Sequence, residues 1–311
     1  MKAEIVSVGT ELLLGQIVDT HAPRMAQILA DCGIGCTNRQ TVGDNLERLT
    51  DSLKVALSRS DFVITIGGLG PTEDDITREG IAAALGVELS VDPEYEKHLR
   101  DIFALRKFRW VESNLKQAMR PSCGEFIDNP NGTAPGLICQ SNGKTVIAIP
   151  GPKSEFGPMA EGSVKSFLEK AGGGGVIFSR TLRVCGLGES FVEDRIRELM
   201  RGGNPTVAPY AHPSEVHLRL TAKAASRTEA ERILEPLEQR IRGILGNAVY
   251  GVNETTLEDS VVAMLKERNA TVAVAESITG GWLGQRFTSV AGSGDVFLGG
   301  MITYDSGTKE T

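Results

Sequence analysis

A glycine- and acid-rich segment at residues 67–75 constrains the possible folds of this chain more than any other stretch, and we call it the glycine loop. Its sequence is Gly-Gly-Leu-Gly-Pro-Thr-Glu-Asp-Asp. The apolar run Phe62–Ile66 before it predicts a buried strand, and residues 76–85 after it predict a helix. Glycines at a strand-to-helix turn let backbone N–H groups approach a ligand, and a helix N-terminus favours an anion. The glycine loop therefore predicts an α/β unit that binds an anionic group.

The three acids of the glycine loop are Glu73, Asp74 and Asp75, and they would repel a bare phosphate. A divalent cation between the carboxylates and the phosphates removes that conflict. We therefore expect a phosphorylated ligand that is held together with a metal ion.

A helix cap is the alternative interpretation of the same residues. Thr72 and Asp75 have the spacing of a capping box, and acids in a first helical turn complement the helix dipole. Capping accounts for Thr72 and one acid. It does not account for Gly67, Gly68 and Gly70 together, so we favour the ligand site.

The composition narrows the class of protein. Hydrophobic residues make up 41% and charged residues 23% of the chain, as in ordinary soluble globular proteins. The net charge of −7 argues against nucleic-acid binding, which needs a basic surface. The five scattered cysteines are typical of a reducing compartment. Without a signal peptide pattern or a membrane-length apolar run, we expect a cytoplasmic protein with no nucleic-acid or membrane partner.

Strand and helix patterns alternate through residues 1–170 and predict a mostly parallel sheet with helices on both faces. Ligands of such sheets bind at the carboxyl ends of the strands. Gly9, Thr10, Glu11 and the glycine loop follow two such ends. The predicted elements are strands at 5–8 and 62–66, helices at 21–32 and 46–57, and a hairpin of 137–140 with 145–149.

Glycines divide the remainder of the chain. Residues 171–175, Ala-Gly-Gly-Gly-Gly, predict a linker. A small α+β domain is predicted over 176–253, where His212 and His217 are expected to be surface residues rather than metal ligands. Residues 256–311 are predicted to form an incomplete α/β unit, because domains commonly have ~100–150 residues.

Four motifs, in order along the chain, resemble the CinA family of competence/damage-inducible proteins. They are Val-Gly-Thr-Glu-Leu-Leu-Leu-Gly at 8–15, the glycine loop, Asn-Gly-Thr-Ala-Pro-Gly at 131–136 and Ile-Pro-Gly-Pro at 149–152. The resemblance implies a three-layer α/β/α N-terminal domain similar to the molybdopterin-binding proteins of the MoaB and Mog type. It extends over the whole chain, with a small middle domain and a C-terminal amidase domain.

The family is associated with ADP-ribose pyrophosphatase activity, so the resemblance implies a metal-dependent N-terminal site. Asp74, Asp75 and Asp44 are the candidate ligands of Mg, Mn or Co, and Asp75 is also a candidate catalytic residue. Asp44 has an alternative role, since Asp44-x-x-Glu47 is also the spacing of a helix cap. The candidate ligand-binding residues are Gly9, Thr10, Glu11, Gly67, Gly68, Gly70 and Thr72.

Residues 275–281, Ala-Glu-Ser-Ile-Thr-Gly-Gly, resemble the start of the family's C-terminal domain, a nicotinamide-nucleotide amidase that needs no cofactor. The family's nucleophile maps to Ser277, and its tyrosine and lysine partners map to Tyr304 and Lys309. A serine needs a base, and a partly desolvated lysine can be neutral and take its proton. The family usually has Cys where this chain has Ile278.

Backbone N–H groups of Thr279, Gly280 and Gly281, at the start of a predicted helix, are candidates for binding the oxyanion. The alternative is that Ser277 caps this helix and Lys309 is an ordinary surface charge. The chain ends at Thr311, before the rest of the family's amidase domain, so we expect this unit to be impaired.

Two functions remain. One is a hydrolase of pyridine-nucleotide recycling, with ADP-ribose and nicotinamide mononucleotide as its substrates. The other is a non-catalytic module that binds molybdopterin or a nucleotide phosphate. Acids without neighbouring Lys or Arg in the glycine loop favour the hydrolase, because plain phosphate binding calls for cations. We also expect a homodimer.

Overall fold

A six-stranded sheet is the centre of the N-terminal unit in the computed structural model, which describes residues 1–309. The chain divides into two units. The first contains Met1–Phe178 and Lys223–Ala230, and the second contains Ser179–Ala222 and the chain from Glu231 onward.

The first unit alternates strands and helices, as the sequence predicts. Its strands are β1 (Lys2–Val8), β2 (Gly35–Val42), β3 (Phe62–Ile66), β4 (Leu89–Val91), β5 (Met119–Pro121), β6 (Gly124–Ile127), β7 (Gly136–Ser141) and β8 (Lys144–Ile149). Its helices are α1 (Thr10–Leu13), α2 (His21–Asp31), α3 (Leu46–Arg59), α4 (Thr77–Leu85), α5 (Pro93–Leu105), α6 (Lys153–Met159) and α7 (Lys165–Ala171). A 3-10 helix (Glu112–Ala118) precedes β5, and a π-helical turn (Ala160–Val164) joins α6 to α7.

The strand order in the main sheet is β2-β1-β3-β8-β7-β6. The pairs from β2 to β8 are parallel, and β7 and β6 follow antiparallel. Ile64 pairs with Ile5 on one side and with Ile147 on the other. The prediction of a mostly parallel sheet is therefore confirmed.

Both faces of this sheet are covered by helices. Successive strand residues point to opposite faces, so Ile5 packs with Met25 of α2, while Val6 packs with Leu49 of α3. Helix α2 presents Ala22, Met25, Ile28 and Leu29 at helical spacing to the first of these cores. Two separate cores on one sheet make the domain the three-layer α/β/α architecture that the sequence predicts.

The hairpin between β7 and β8 turns at Asn142 and Gly143, whose φ values are 50° and 73°. Both values are positive, as a two-residue hairpin turn of this type requires. Strand β2 and the antiparallel pair β4–β5 were not among the predicted elements. Strand β2 carries the polar sequence Gly-Cys-Thr-Asn-Arg-Gln-Thr-Val, which gives no buried-strand signal.

The rest of the chain contains a four-stranded sheet of order β10-β11-β9-β12. Its elements follow one another as strand, helix, strand, strand, helix, strand. They are β9 (Val176–Cys185), α8 (Glu189–Met200), β10 (Thr206–His212), β11 (Glu215–Ala224), α9 (Arg227–Leu245) and β12 (Val249–Val252). Helix α9 continues through Pro236. Leu218 and Leu220 of β11 are fully buried, while Arg219 between them is exposed, so this strand alternates as predicted.

The C-terminal segment forms a parallel pair of strands with two helices. The elements are α10 (Leu257–Glu267), β13 (Val272–Glu276), α11 (Trp282–Thr288) and β14 (Phe297–Ile302). Between residues 256 and 309, only Val262, Glu276, Ser293 and Val296 are buried. None of the helices within residues 1–309 is long and apolar enough to cross a membrane.

Candidate functional site

A cavity of 720 Å³ opens at the carboxyl ends of β1, β3 and β8 in the first unit. This is where ligands of parallel α/β sheets bind. The cavity collects most of the predicted N-terminal site residues from distant parts of the sequence. Those that line it are Gly9, Glu11, Asp44, Gly67, Gly68, Gly70, Asp74 and Asp75.

Two glycines of the glycine loop have backbone conformations that other residues adopt at a cost. Gly67 has φ of 104° and Gly68 has φ of 66°. A Cβ atom on Gly67 would lie 2.3 Å from the carbonyl oxygen of Val8. The Gly67 N–H donates to the carbonyl of Ile149 at 2.9 Å, which ties the start of the loop to β8.

The carbonyl groups of the glycine loop are held from behind by the first turn of α4. The Thr77 hydroxyl donates to the Gly67 carbonyl at 2.8 Å, and the Arg78 Nη1 donates to the Leu69 carbonyl at 2.9 Å. In a trans peptide the C=O and the following N–H point in opposite directions. The N–H groups of Gly68 and Gly70 therefore point away from α4.

Three consecutive N–H groups, those of Gly68, Leu69 and Gly70, donate to no acceptor within residues 1–309. Successive unpaired N–H groups in a turn form a concave anion site. The glycine loop therefore has the backbone geometry that the sequence predicts for binding an anionic group.

The capping alternative for Thr72 and Asp75 does not describe this structure. Helix α4 begins at Thr77, and its N-cap residue is Ile76, which makes no side-chain cap. The Asp75 Oδ2 instead accepts from the Thr72 N–H at 2.9 Å and from the Thr72 hydroxyl at 2.5 Å. The two residues close a turn before the helix, at the edge of the cavity.

Asp74 also converges on Thr72. The Thr72 hydroxyl is within hydrogen-bonding distance of Asp74 Oδ1 as well as of Asp75 Oδ2. This bond lowers the pKa of Asp74 below its usual range, so its carboxylate is charged at neutral pH. Two carboxylates that share one hydroxyl proton leave oxygen lone pairs for a cation.

Asp44 does not cap the following helix. The N-cap of α3 is Asn45, whose side chain accepts from the Arg48 N–H at 3.0 Å. Asp44 Oδ2 accepts from the Thr10 N–H at 2.9 Å, and the Thr10 hydroxyl accepts from the Asp44 N–H at 3.1 Å. This reciprocal pair joins the turn after β1 to the turn after β2.

The fit to a metal ion is partial. No three Asp, Glu, His or Cys side chains within residues 1–309 form a set that holds a metal ion by itself. Asp44 bonds to Thr10, apart from the pair that Asp74 and Asp75 form on Thr72. Mg²⁺ in nucleotide sites commonly uses one or two carboxylates together with substrate phosphates. Asp74 and Asp75 fit that arrangement, whereas a three-carboxylate site with Asp44 does not.

Four charged or titratable side chains of the cavity were not predicted, namely Asp19, His21, Lys153 and Glu155. Asp19 accepts from the Ser7 hydroxyl at 2.7 Å and from the N–H groups that open α2. His21 Nε2 lies 2.9 Å from the Gly151 carbonyl. Lys153 places a cation in the cavity, which the glycine loop alone lacks.

The motif at 131–136 is folded against the cavity by Asn129. Its Nδ2 donates to Glu155 Oε2 at 2.6 Å, and its Oδ1 accepts from the Gly132 N–H at 2.9 Å. A Cβ atom on Gly132 would lie 2.3 Å from the Glu155 carboxylate. Thr133 lies within the motif at 131–136, and Lys153 and Glu155 follow directly after the motif at 149–152. These two motifs are the sequence signal that points to this part of the site.

Two of the C-terminal candidates, Ser277 and Tyr304, lie just beyond the ends of β13 and β14. Glu276 pairs with Ile302, and the Thr303 N–H donates to the Glu276 carbonyl at 2.7 Å. Ser277 and Tyr304 therefore follow neighbouring strands at the same edge. Lys309 lies in a 3-10 turn (Gly307–Lys309), and all three side chains are at least partly exposed. No hydrogen bond within the described chain joins any two of the Ser277, Tyr304 and Lys309 side chains.

Two of the three N–H groups expected to bind an oxyanion, those of Gly280 and Gly281, already have other acceptors. The Gly280 N–H donates to the Ser277 carbonyl at 3.2 Å. The Glu276 carboxylate accepts from the Leu283 and Gly284 N–H groups at 2.9 and 2.7 Å, so it caps α11. Burial works to raise the pKa of Glu276, but these bonds and one from the Gly281 N–H hold it below its usual range. Glu276, rather than Ser277, is the helix cap here.

The two histidines of the middle segment are stacked with ring centroids 3.8 Å apart, and His217 Nε2 lies 3.0 Å from Glu215 Oε2. Neither belongs to a metal-binding group within residues 1–309.

The layers and the cavity define the class of the N-terminal domain. Residues 4–170 match the family model of a probable molybdopterin-binding domain. Residues 179–251 match the damage-inducible protein CinA KH domain, and residues 254–311 match the CinA C-terminal domain. The chain belongs to the CinA family.

Curated relatives agree with this assignment. The chain is 45% identical over 310 residues to a putative competence-damage inducible protein from Moorella thermoacetica, and 46% identical to a CinA-like protein from Dictyoglomus turgidum. Each alignment covers 99% of this chain and 75% of the relative. A crystal structure of the protein CinA, of unknown function, from Thermoplasma acidophilum matches with 34% identity and a TM-score of 0.50. That match covers 54% of this chain and 99% of the solved chain.

Proposed function

We propose that this protein is a hydrolase of pyridine-nucleotide recycling whose N-terminal cavity binds the diphosphate of ADP-ribose and cleaves it. The observation that carries the proposal is the set of three unpaired N–H groups, at Gly68, Leu69 and Gly70, beside the carboxyl groups of Asp74 and Asp75 in one cavity. N–H groups alone would suit a plain anion. Carboxylates beside them suit a phosphate that brings a divalent cation.

The reaction is the attack of a water oxygen on one phosphorus of the diphosphate, with cleavage of the bond from that phosphorus to the bridging oxygen. The products are AMP and ribose 5-phosphate. The unpaired N–H groups of the glycine loop stabilise the negative charge that grows on the phosphate oxygens. Asp75, fixed by two bonds from Thr72, is placed to orient the attacking water.

Asp74 and Asp75 are the residues that would hold a Mg, Mn or Co ion together with the substrate. When bound, such an ion neutralises phosphate charge in the transition state. Asp44 supports the site differently, because its bonds to Thr10 fix the turn of Gly9 and Glu11 at the cavity edge.

A second candidate function is a module that binds molybdopterin or a nucleotide phosphate without cleaving it. Two cations near the loop favour it. Lys153 lines the cavity, and Lys116 Nζ donates to the Thr72 carbonyl at 3.0 Å. Both functions include ligand binding, so only a measurement of ligand cleavage distinguishes the hydrolase from the binding module.

We further propose that the C-terminal segment carries a nicotinamide-nucleotide amidase-type site. The match of residues 254–311 to the CinA C-terminal domain and the shared edge of Ser277 and Tyr304 support it. Ser277 would attack the amide carbon of nicotinamide mononucleotide, and Lys309 would take its proton. Ammonia leaves, and water then releases the acid, without a metal. Because the three side chains are not bonded to one another, we expect this site to be weak.

The test is incubation of the protein with ADP-ribose and with nicotinamide mononucleotide in separate reactions, with and without Mg²⁺, Mn²⁺ or Co²⁺. We expect metal-dependent release of AMP from ADP-ribose. Binding of ADP-ribose with no AMP under any of the metals would favour the binding module. If the protein neither binds nor cleaves ADP-ribose, the proposal is overturned.

A further inference from the structure

Arg78 is fully buried behind the glycine loop, in the first turn of α4. Its Nη1 donates to the Leu69 carbonyl at 2.9 Å. Its Nε and Nη2 have no acceptor within residues 1–309, and no carboxylate of those residues lies within ion-pair distance of it. Arginines are almost never fully buried without a partner, so this residue calls for an explanation.

The charge on Arg78 persists despite its burial. Desolvation lowers the pKa of Arg78 to about 10, which leaves the guanidinium protonated at neutral pH. An unpaired buried charge destabilises a fold, and an apolar side chain of similar volume at such a position is often neutral or stabilising. Stability alone therefore does not account for an arginine here.

The position of this charge relative to the cavity supplies a reason. The cavity is lined by Glu11, Asp44, Asp74 and Asp75, which disfavour an anionic ligand. Arg78 bonds to the carbonyl of Leu69, and Leu69 itself lines the cavity. By holding that carbonyl inward, it leaves the Gly70 N–H directed away from α4.

We propose that Arg78 is a positioning residue for the phosphate of the ligand, which it does not touch. It fixes the Leu69–Gly70 peptide so that the Gly70 N–H meets the phosphate, and its buried positive charge offsets the carboxylates across the loop. Thr77 does the same for the Gly67–Gly68 peptide without a charge. The inference rests on the proposed function, because it assumes a phosphate on the glycine loop.

The experiment compares the full chain with Arg78→Met, Arg78→Lys and the control Arg48→Met, which removes an exposed arginine of α3. AMP is the probe, because it carries the phosphate and is a product rather than a substrate. Its Kd is measured by calorimetry, and the thermal midpoint is measured for each variant. Adenosine, which lacks the phosphate, is the matched ligand control.

We expect Arg78→Met to weaken AMP binding by about 10- to 100-fold while its thermal midpoint stays equal to that of the unmodified protein or rises. Arg78→Lys, which keeps a charge but not the fork of donors, should recover part of the affinity. Arg48→Met should change neither quantity. Adenosine binding should be the same in all four proteins.

Three results would overturn the inference. One is AMP binding by Arg78→Met that equals binding by the unmodified protein. Another is a loss of AMP binding that comes with a lowered thermal midpoint, since that is the mark of a merely structural residue. The third, no AMP binding by the unmodified protein, would remove the proposed function as well, so the two failures are distinguishable.

Discussion

The N-terminal cavity and the C-terminal candidate site have the same placement and very different surroundings. Each lies where parallel strands end and a helix follows. The N-terminal strands belong to a six-stranded sheet with a core on each face. The C-terminal strands form a pair, with four buried residues between 256 and 309. Strand topology thus brings residues to one edge, and the surrounding layers determine whether their side chains are fixed.

The side chains show that difference directly. Asp44, Asp74 and Asp75 each accept a hydrogen bond from a threonine that holds the carboxylate in place. Within residues 1–309 no threonine holds the Ser277 or Tyr304 side chain in this way, and Tyr304 is 74% exposed. We therefore expect the first site to be preorganised and the second to be mobile.

Hydrogen exchange should show the largest contrast. Amides of β1, β3 and β8 should exchange about 10³-fold or more slowly than those of β13 and β14, because the latter open without global unfolding. Mass spectrometry of peptides from the full chain measures both regions in one sample. Equal protection in the two sheets would contradict the difference in packing.

Replacing Asp75 should produce the largest catalytic effect. Asp75→Asn keeps an oxygen acceptor for Thr72 but removes the charge, so we expect AMP release from ADP-ribose to fall about 10²- to 10³-fold with the fold intact. Asp101→Asn, on an exposed position of α5, is the control. A fully active Asp75→Asn protein would rule out the carboxylate's role.

A stability prediction concerns Glu4, which lies toward the end of β1 that is farther from the cavity. Burial works to raise the pKa of Glu4, but hydrogen bonds from Arg59 and Gln40 more than offset it and lower that pKa. A lowered folded-state pKa stabilises the fold above the unfolded value, near 4.3, and this contribution disappears as the pH falls through the folded value. Glu4→Gln should therefore lower the free energy of unfolding by about 1–3 kcal/mol at pH 7.

The pH dependence of that loss is the check. Urea unfolding of Glu4→Gln and the unmodified protein should give a difference that shrinks steadily below about pH 4. A constant difference from pH 7 to pH 3 would show that the charge of Glu4 is not what stabilises β1.

The smallest effect is expected at Ser277. Since its hydroxyl is not bonded to Tyr304 or Lys309, ammonia release from nicotinamide mononucleotide should be slow in the unmodified protein, and Ser277→Ala should remove only that small rate. A coupled ammonia assay with the full chain measures this. A fast release that Ser277→Ala abolishes would show that the three side chains come together in the substrate complex and would make the two sites alike.

The sequence predicted the placement of both sites more successfully than their bonding. Buried strands with apolar runs, such as β3, and hairpin signals, such as Asn142 with Gly143, identified most of the main sheet. Strand β2 was missed because its residues are polar and half-buried. Its position in the sheet depends on pairing with β1, which its own sequence does not show.

Predictions of helix caps from local spacing were wrong where another residue in the folded chain caps the helix. The spacing of Asp44 with Glu47 predicted a helix cap as its alternative role, but Asn45 is the cap and Asp44 bonds to Thr10. Ser277 likewise leaves the capping of α11 to Glu276. The buried Arg78 gave no signal at all, because burial of a charged residue depends on the layers around it.

An NMR titration of the full chain with AMP tests the central claim most directly. The claim is that the unpaired N–H groups of the glycine loop bind a phosphate. Addition of AMP should shift the amide protons of Gly68, Leu69 and Gly70 downfield and slow their exchange, while adenosine leaves them unchanged. AMP binding that moves other amides and leaves these three unaffected would contradict the claim.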